Sequence, residues 1–196
     1  EPIDRIVQQI GIRFKIKDLG EGDFYLGMHV HKNALGDIHV HQTAYIKERL
    51  QTYGFEDLRS AETPMDSNNK PRKHVGEPLN SASIVSRPDI STAVGVLCRF
   101  NANPNNEHLA AAERVWGYLK EHPTDGLTYK RHVKGEPLND LYIMSDADWA
   151  GCPDTRKSTS GYVVMLAGAP ISWISKKQDC NALSSCEAEY IAGSIA

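Results

Sequence analysis

Residues 141–196 read LYIMSDADWAGCPDTRKSTSGYVVMLAGAPISWISKKQDCNALSSCEAEYIAGSIA, and this stretch decides the fold. Leu141 to Ser145 reads as a short strand. Residues 160–167 (SGYVVMLA) and 170–175 (PISWIS) read as two more, joined by a tight turn at Gly168 and Ala169. A helix is expected from residue 184 onward, with Ser184 as its N-cap and Glu187 three residues later as the acid of a capping box. The order is therefore β-β-β-α.

Two carboxylates in this stretch stand out. Asp146 ends the first strand in the string SDADWAG, where small residues follow it. A carboxylate so placed can project into a cleft or cap the turn. Glu187 and Glu189 are two positions apart on a helix, about 200° around its axis, so they cannot face one site. Glu187 has its capping role, which leaves Glu189 to point toward the sheet and Asp146. A strand-end Asp with a helix Glu suits Mg²⁺, which prefers carboxylate oxygens and water. Two such ions about 4 Å apart clamp the attacking and leaving oxygens of a phosphodiester.

Upstream, residues 14–31 and 37–42 read as a hairpin. Leu26, Met28 and Val30 alternate with Gly27, His29 and His31, and Ile38 and Val40 alternate with His39 and His41. Pairing even with even positions puts the apolar residues on one face and four histidines on the other. Cross-strand histidines can ligate zinc. With no acid or cysteine to complete a site, a solvated strand face explains them, and with nearby Lys32 they could instead touch a phosphate backbone. Residues 43–54 read as a helix from Thr43 to a stop at Gly54. Residues 60–86, with the basic cluster KPRK at 70–73, read as a linker. Residues 88–100 form a helix opened by Pro88, with Ile90, Ala93, Val94, Leu97 and Cys98 on one face. A second helix over 106–121 turns Leu109, Ala112, Trp116 and Leu119 inward, and HPTDG ends it.

The whole chain has 196 residues and a net charge of −3. Its 40% hydrophobic and 24% charged residues exclude a collagen, a coiled-coil rod and a wholly disordered tail. No apolar run is long enough to span a bilayer, so no membrane partner is expected. The acid excess lies entirely in residues 137–196, with four basic and seven acidic residues, while residues 1–136 are neutral. The four cysteines form no C-x-x-C pair, as expected of reduced thiols in an intracellular protein. The start EPIDRIVQQIG is no signal peptide, and the missing initiator Met suggests a piece of something longer.

The strings FKIKDLGEGDFYLGMHV (14–30), GDIHVHQTAYIKERLQTYGF (36–55), TPM (63–65) and SRPDISTAVGVLCRFNANPNNEHLAAAERVWGYLKEHPTDGLTY (86–129) together resemble the polymerase region of copia-like LTR retrotransposons. SDADWAG, RKSTSGY, ISW-SKKQ and SS-x-EAEY resemble the start of their ribonuclease H domain. The resemblance covers nearly the whole chain in the right order. It implies an α/β (α+β) chain. Residues 1–60 would be the end of a reverse-transcriptase palm with a primer-grip-like hairpin and first thumb helix. Residues 61–86 would be a linker, 87–136 thumb and connection helices, and 137–196 a truncated ribonuclease H-like β-β-β-α unit.

The same resemblance makes Asp146 and Glu189 the catalytic Mg²⁺ ligands, with Asp148 secondary. It makes Phe24, Tyr25, Leu26 and Gly27 part of the hairpin that holds a primer terminus. Lys70, Arg72, Lys73, Lys130 and Arg131 are the basic residues expected to contact an RNA–DNA hybrid or template–primer duplex. The intact parent would carry out RNA-directed DNA synthesis and Mg²⁺-dependent cleavage of RNA in RNA–DNA hybrids, alongside the rest of the Pol polyprotein, in a cytoplasmic particle or the nucleus. Its YVDD motif is expected upstream of residue 1 and a third ribonuclease H acid downstream of Ala196. GEPLNSASIV (76–85) departs from the family pattern. The chain alone is expected to be inactive, and the alternative is a catalytically inactive nucleic-acid-binding or structural remnant.

Overall fold

The computed structural model describes residues 2–15, 22–66, 86–131 and 141–196. These form a mixed α/β structure with two antiparallel sheets and five α-helices. The chain opens with helix α1 (Pro2–Gly11), which the sequence reading missed. Strands β1 (Phe24–Tyr25), β2 (Met28–Lys32), β3 (Ile38–His41) and β4 (Gly126–Tyr129) make the first sheet in that order.

The expected parity of the hairpin holds. His29 pairs with His41, Val30 with Val40 and His31 with His39, so the histidines share one face and the valines the other. Two details differ from the expectation. Leu26 does not alternate within a strand: it has φ 50° and Gly27 has φ 81°, which is the two-residue turn with positive φ at both positions that joins β1 to β2. Lys32 pairs with Ile38 and so lies on the side away from the histidines. Strand β4 was also unforeseen. It follows directly on HPTDG and adds to β3 through His39–Thr128 and Val40–Leu127 pairs.

Helix α2 (Thr43–Tyr53) is N-capped by Gln42, one residue before the expected Thr43, and ends at Gly54 in the left-handed region (φ 67°, ψ 31°). The segment expected as one helix over 88–100 is a 3-10 turn at Pro88–Ile90 followed by α3 (Ser91–Cys98). Helix α4 covers Asn106–Glu121. Ile46, Leu50, Ile90, Ala93, Val115 and Leu119 form the buried core between these helices, with Phe55, Met65, Leu97 and Trp116 packed against it. Leu109 was expected to face inward but is 39% exposed, and Cys98, at the end of α3, is exposed too. The buried line on α4 is His108, Val115 and Leu119, because His108 turns inward to close a capping box with Asn105. Most of the linker, including the basic cluster, lies outside the described residues; Ser60–Asp66 run as bends beside α4.

The second sheet is β5 (Tyr142–Ala147), β6 (Thr159–Leu166) and β7 (Ala169–Lys177), all antiparallel in that order. Its β6–β7 turn is Ala167–Gly168, both with positive φ, one residue earlier than read; Ala169 is the first residue of β7 and is buried. Helix α5 (Ser185–Ile195) packs on β5 and β6. The two sheets meet where the Tyr129 hydroxyl donates to the Pro170 carbonyl (2.9 Å) and Lys130 N–H to the Ala167 carbonyl (3.1 Å). No described helix is long and apolar enough to cross a membrane.

Candidate functional site

Helices lie on both faces of the second sheet, and strand alternation sorts its residues between them. Ser145 faces α5: its hydroxyl is 3.9 Å from where a Cβ on Gly193 would sit. Ser160 is on the same face, since Gln178 Nε2 donates both to its hydroxyl (2.8 Å) and to the Ala188 carbonyl of α5 (3.0 Å). Thr159 takes the other face, where Arg99 at the end of α3 reaches it. Asp146 pairs with Gly161 and shares that second face. There, Met144, Asp146, Val163, Trp173, Ser91 and Thr92 line a shallow pocket of about 240 Å³.

Glu189 lies on the flank of α5 shared with Gly193, one turn away, and this flank overlooks β5. The start of α5 is tied to the end of β5 by Trp149 Nε1, which donates to the Ala182 carbonyl (3.2 Å). Asp146 and Glu189 therefore approach the C-terminal half of β5 from its two faces. Both are exposed, and neither carboxylate makes a hydrogen bond or ion pair with another described residue. Among the described residues no three His, Cys, Asp or Glu side chains converge as a metal-binding group.

Several other polar residues of this region have structural partners. The Asp148 carboxylate accepts from Thr159 N–H, while Asp148 N–H donates to the Thr159 carbonyl. Buried Ser158 accepts Ala150 N–H on its hydroxyl (3.0 Å) and Gln178 N–H on its carbonyl (2.8 Å). Ser184 caps Glu187 N–H (3.1 Å) as expected, whereas the Glu187 carboxylate accepts Leu183 N–H (2.6 Å), one residue before the N-cap N–H that a capping box would use. Lys157 reaches the Asp179 carbonyl, and Asn181 the Thr155 carbonyl. The Ser158–Ser160–Gln178 network was missed in the sequence reading. Its signal was partly there: a serine at a helix-facing strand position such as Ser160 needs a hydrogen-bond partner when buried.

A second cluster sits at SRPDI. Arg87 is 1% exposed and grips Asp89 with Nε and a terminal nitrogen (2.9 and 2.7 Å). Its other terminal nitrogen donates to the His122 carbonyl (2.6 Å), and the Tyr118 hydroxyl completes the Asp89 shell (2.9 Å). Burial pushes the Asp89 carboxyl up, but the hydrogen bonds and charge of Arg87 outweigh it and the net shift is downward. This pair fastens α3 to the end of α4.

In the first sheet, Phe24, Tyr25 and Leu26 are all more than half exposed at the β1–β2 turn. Lys130 and Arg131 are exposed and lie over the two other hairpin turns. The Arg131 chain covers Gly36, while its N–H donates to Asp37 (2.9 Å); the Lys130 chain lies against Gly168. Lys70, Arg72 and Lys73 lie outside the described residues.

No protein-family model matches the chain, and no solved structure matches it. Three relatives are informative. The retrovirus-related Pol polyprotein from transposon RE1 of Arabidopsis thaliana is 38% identical over 190 residues, 91% of this chain and 13% of the polyprotein. A putative transposon Ty5-1 protein of Saccharomyces cerevisiae is 34% identical, with 97% of this chain and 65% of that protein covered. An uncharacterized mitochondrial protein of Arabidopsis thaliana is 32% identical over 97% of this chain and 82% of its own length. The chain thus spans about an eighth of the RE1 polyprotein and about two thirds of the Ty5-1 protein. With copia-type relatives matching nearly from end to end, the chain belongs to the Pol polyproteins of copia-type retrotransposons.

Proposed function

We propose that this chain is the part of a Pol polyprotein that joins the end of a reverse transcriptase to the start of a ribonuclease H. Residues 1–60 would close the palm with a primer-grip-like turn at Phe24–Gly27. Residues 61–86 would link to thumb and connection helices in 87–136. Residues 137–196 would begin the ribonuclease H unit. The intact parent would synthesise DNA on an RNA template and cleave RNA in the resulting hybrid.

One observation supports this reading most. Asp146 and Glu189 are exposed, their carboxylates have no partner among the described residues, and they approach the C-terminal half of β5 from its two faces. Two carboxylates without protein partners suit a hard divalent cation. Mg²⁺ held by Asp146 and Glu189 would supply charge neutralisation at a scissile phosphodiester. The chain's own residues would present the hybrid. Lys130 and Arg131, at the hairpin turns, would meet phosphates, and the backbone-directed contacts would be insensitive to sequence.

The test is a Mn²⁺ titration of the purified chain followed by amide NMR. Paramagnetic broadening centred on Asp146 and Glu189, and lost in Asp146→Asn, supports the site. Broadening that ignores both positions overturns it. Hybrid binding that weakens steeply with added salt, and weakens further in Lys130→Ala/Arg131→Ala, supports the nucleic-acid role; salt-independent binding counts against it.

A further inference from the structure

The face of the first sheet turned away from the valines carries a continuous run of rings. Phe24 meets His29 edge-on (4.9 Å), His29 stacks on His41 (5.2 Å, 15° between planes), and His41 adjoins His39 (5.2 Å, 30°). His31 pairs across the strands with His39 and is exposed. The ladder is anchored from beneath and beside. His39 Nδ1 lies 2.8 Å from the Thr128 hydroxyl and Nε2 3.2 Å from the Thr124 carbonyl, and His41 Nδ1 lies 2.6 Å from the Thr43 hydroxyl. The rings are thus held in a fixed row rather than free to rotate.

We propose that this ring ladder binds an unpaired nucleic-acid strand, and that binding tightens as the imidazoles take up protons. This deepens the proposed function, because it rests on the chain handling nucleic acid. Two features favour this occupant over a protein surface. A row of rings at about 5 Å spacing on an antiparallel sheet, exposed at Phe24 and His31 and half-buried at His29, His39 and His41, offers stacking positions for splayed bases. Imidazole is in general the side chain whose charge responds to pH in the physiological range, and a polyanion complements its charged form.

Among the described residues, no carboxylate makes a hydrogen bond or ion pair with the ladder histidines. From β1 comes Phe24, from β4 Thr128 and Gly126, and from α2 Thr43. Lys32 is on the opposite face. Of the nearby described carboxylates, Asp37 is engaged by Asn33 and the Arg131 N–H, Asp125 lies 3.6 Å from His122 Nδ1, and Asp23 precedes β1. The influences on His41 agree: burial first, and then the like charges of His39, His29 and His31, hold it below the ordinary histidine value. A phosphate placed over the rings would reverse that repulsion, so strand binding and proton uptake are linked in both directions.

The experiment uses the whole chain and a fluorescein-labelled oligothymidylate, read by anisotropy at about pH 7.5 and about pH 5.5, with an RNA–DNA hybrid of the same length as comparison. The expected result is at least a roughly tenfold gain in affinity for the single strand at the lower pH. The double variant His29→Gln/His39→Gln should flatten that gain, and Phe24→Ala should weaken binding roughly tenfold at both pH values. Circular dichroism confirms that each variant is folded; His31→Gln, on an exposed side chain, serves where the double variant is not. A pH response that survives the histidine variants overturns the inference while leaving the proposed function standing. Equal gains for hybrid and single strand overturn its stacking element. Failure to bind either probe at any pH overturns both readings.

Discussion

The two sheets of this molecule are built on opposite principles. The first has one face packed and one face open, and the helices beside it enclose a core of large aliphatic residues: Ile46, Leu50, Ile90, Val115 and Leu119. The second has a helix on each face, α3 and α5, with β5 left largely exposed, and its buried residues are small or polar: Ala150, Cys152, Ala169, Ala188, Ala192, Ser158, Ser160 and Gln178. The first region is held chiefly by burial of apolar area, the second by close approach and hydrogen bonds. Small residues let α5 lie near the strands, and the serines and Gln178 satisfy the polar groups that this approach buries. A site that needs exposed carboxylates is easier to place on the second kind of region, where polar side chains are already common.

The largest expected effect tests the seam of the first region. Arg87→Ala leaves Asp89 half-buried without its cation and should cost about 3–5 kcal/mol in urea unfolding. A loss below about 1 kcal/mol would show that the aliphatic core alone fastens α3 to α4. The same pair gives a pH signature. Asp89 has its carboxyl held down, so its contribution is present above the ordinary carboxylate value and is lost as pH falls through the lowered one. Stability should drop in that acid range in the wild type and much less in Asp89→Asn.

Next in size is Leu119→Ala, at about 2–5 kcal/mol, from a side chain only 1% exposed. In the second region the corresponding test is Gln178→Leu, which removes both donors to Ser160 and the α5 backbone and should cost about 1–3 kcal/mol. Amide exchange should show that loss concentrated in α5 and β6. If it spreads evenly over both sheets, the two regions unfold as one unit and the contrast between them is only local.

Ser184→Ala should cost about 1 kcal/mol and fray the first turn of α5. The smallest effect belongs to the open face of the first sheet. His41 is held below its ordinary value, so the unfolded chain takes up a proton more readily than the folded one, and the melting temperature should fall as pH drops below about 6.5. His41→Gln should reduce that slope. An unchanged slope would place the acid sensitivity elsewhere.

Much of this was legible from local chemistry. The even–odd parity of the hairpin, the stop at Gly54, the β-β-β-α order and the Ser184–Glu187 cap all depend on residues close in sequence, where strand alternation and helix geometry leave few choices. What only the tertiary structure decided involves distant partners. Strand β4 exists because β3 offers a free edge; His108 displaces Leu109 from the interior because its ring caps α4 and stacks on Phe100. The buried Arg87 is invisible as such in a string like SRPDI, since a charged residue reads as exposed until its partners at residues 89 and 122 are known. For the same reason the sequence could nominate Asp146 and Glu189 by type and position, but only the packing of α3 and α5 on opposite faces of the second sheet set the sides from which the two carboxylates approach β5. Periodicity fixes which way a side chain points relative to its own element; what lies in that direction depends on contacts between residues far apart in the chain.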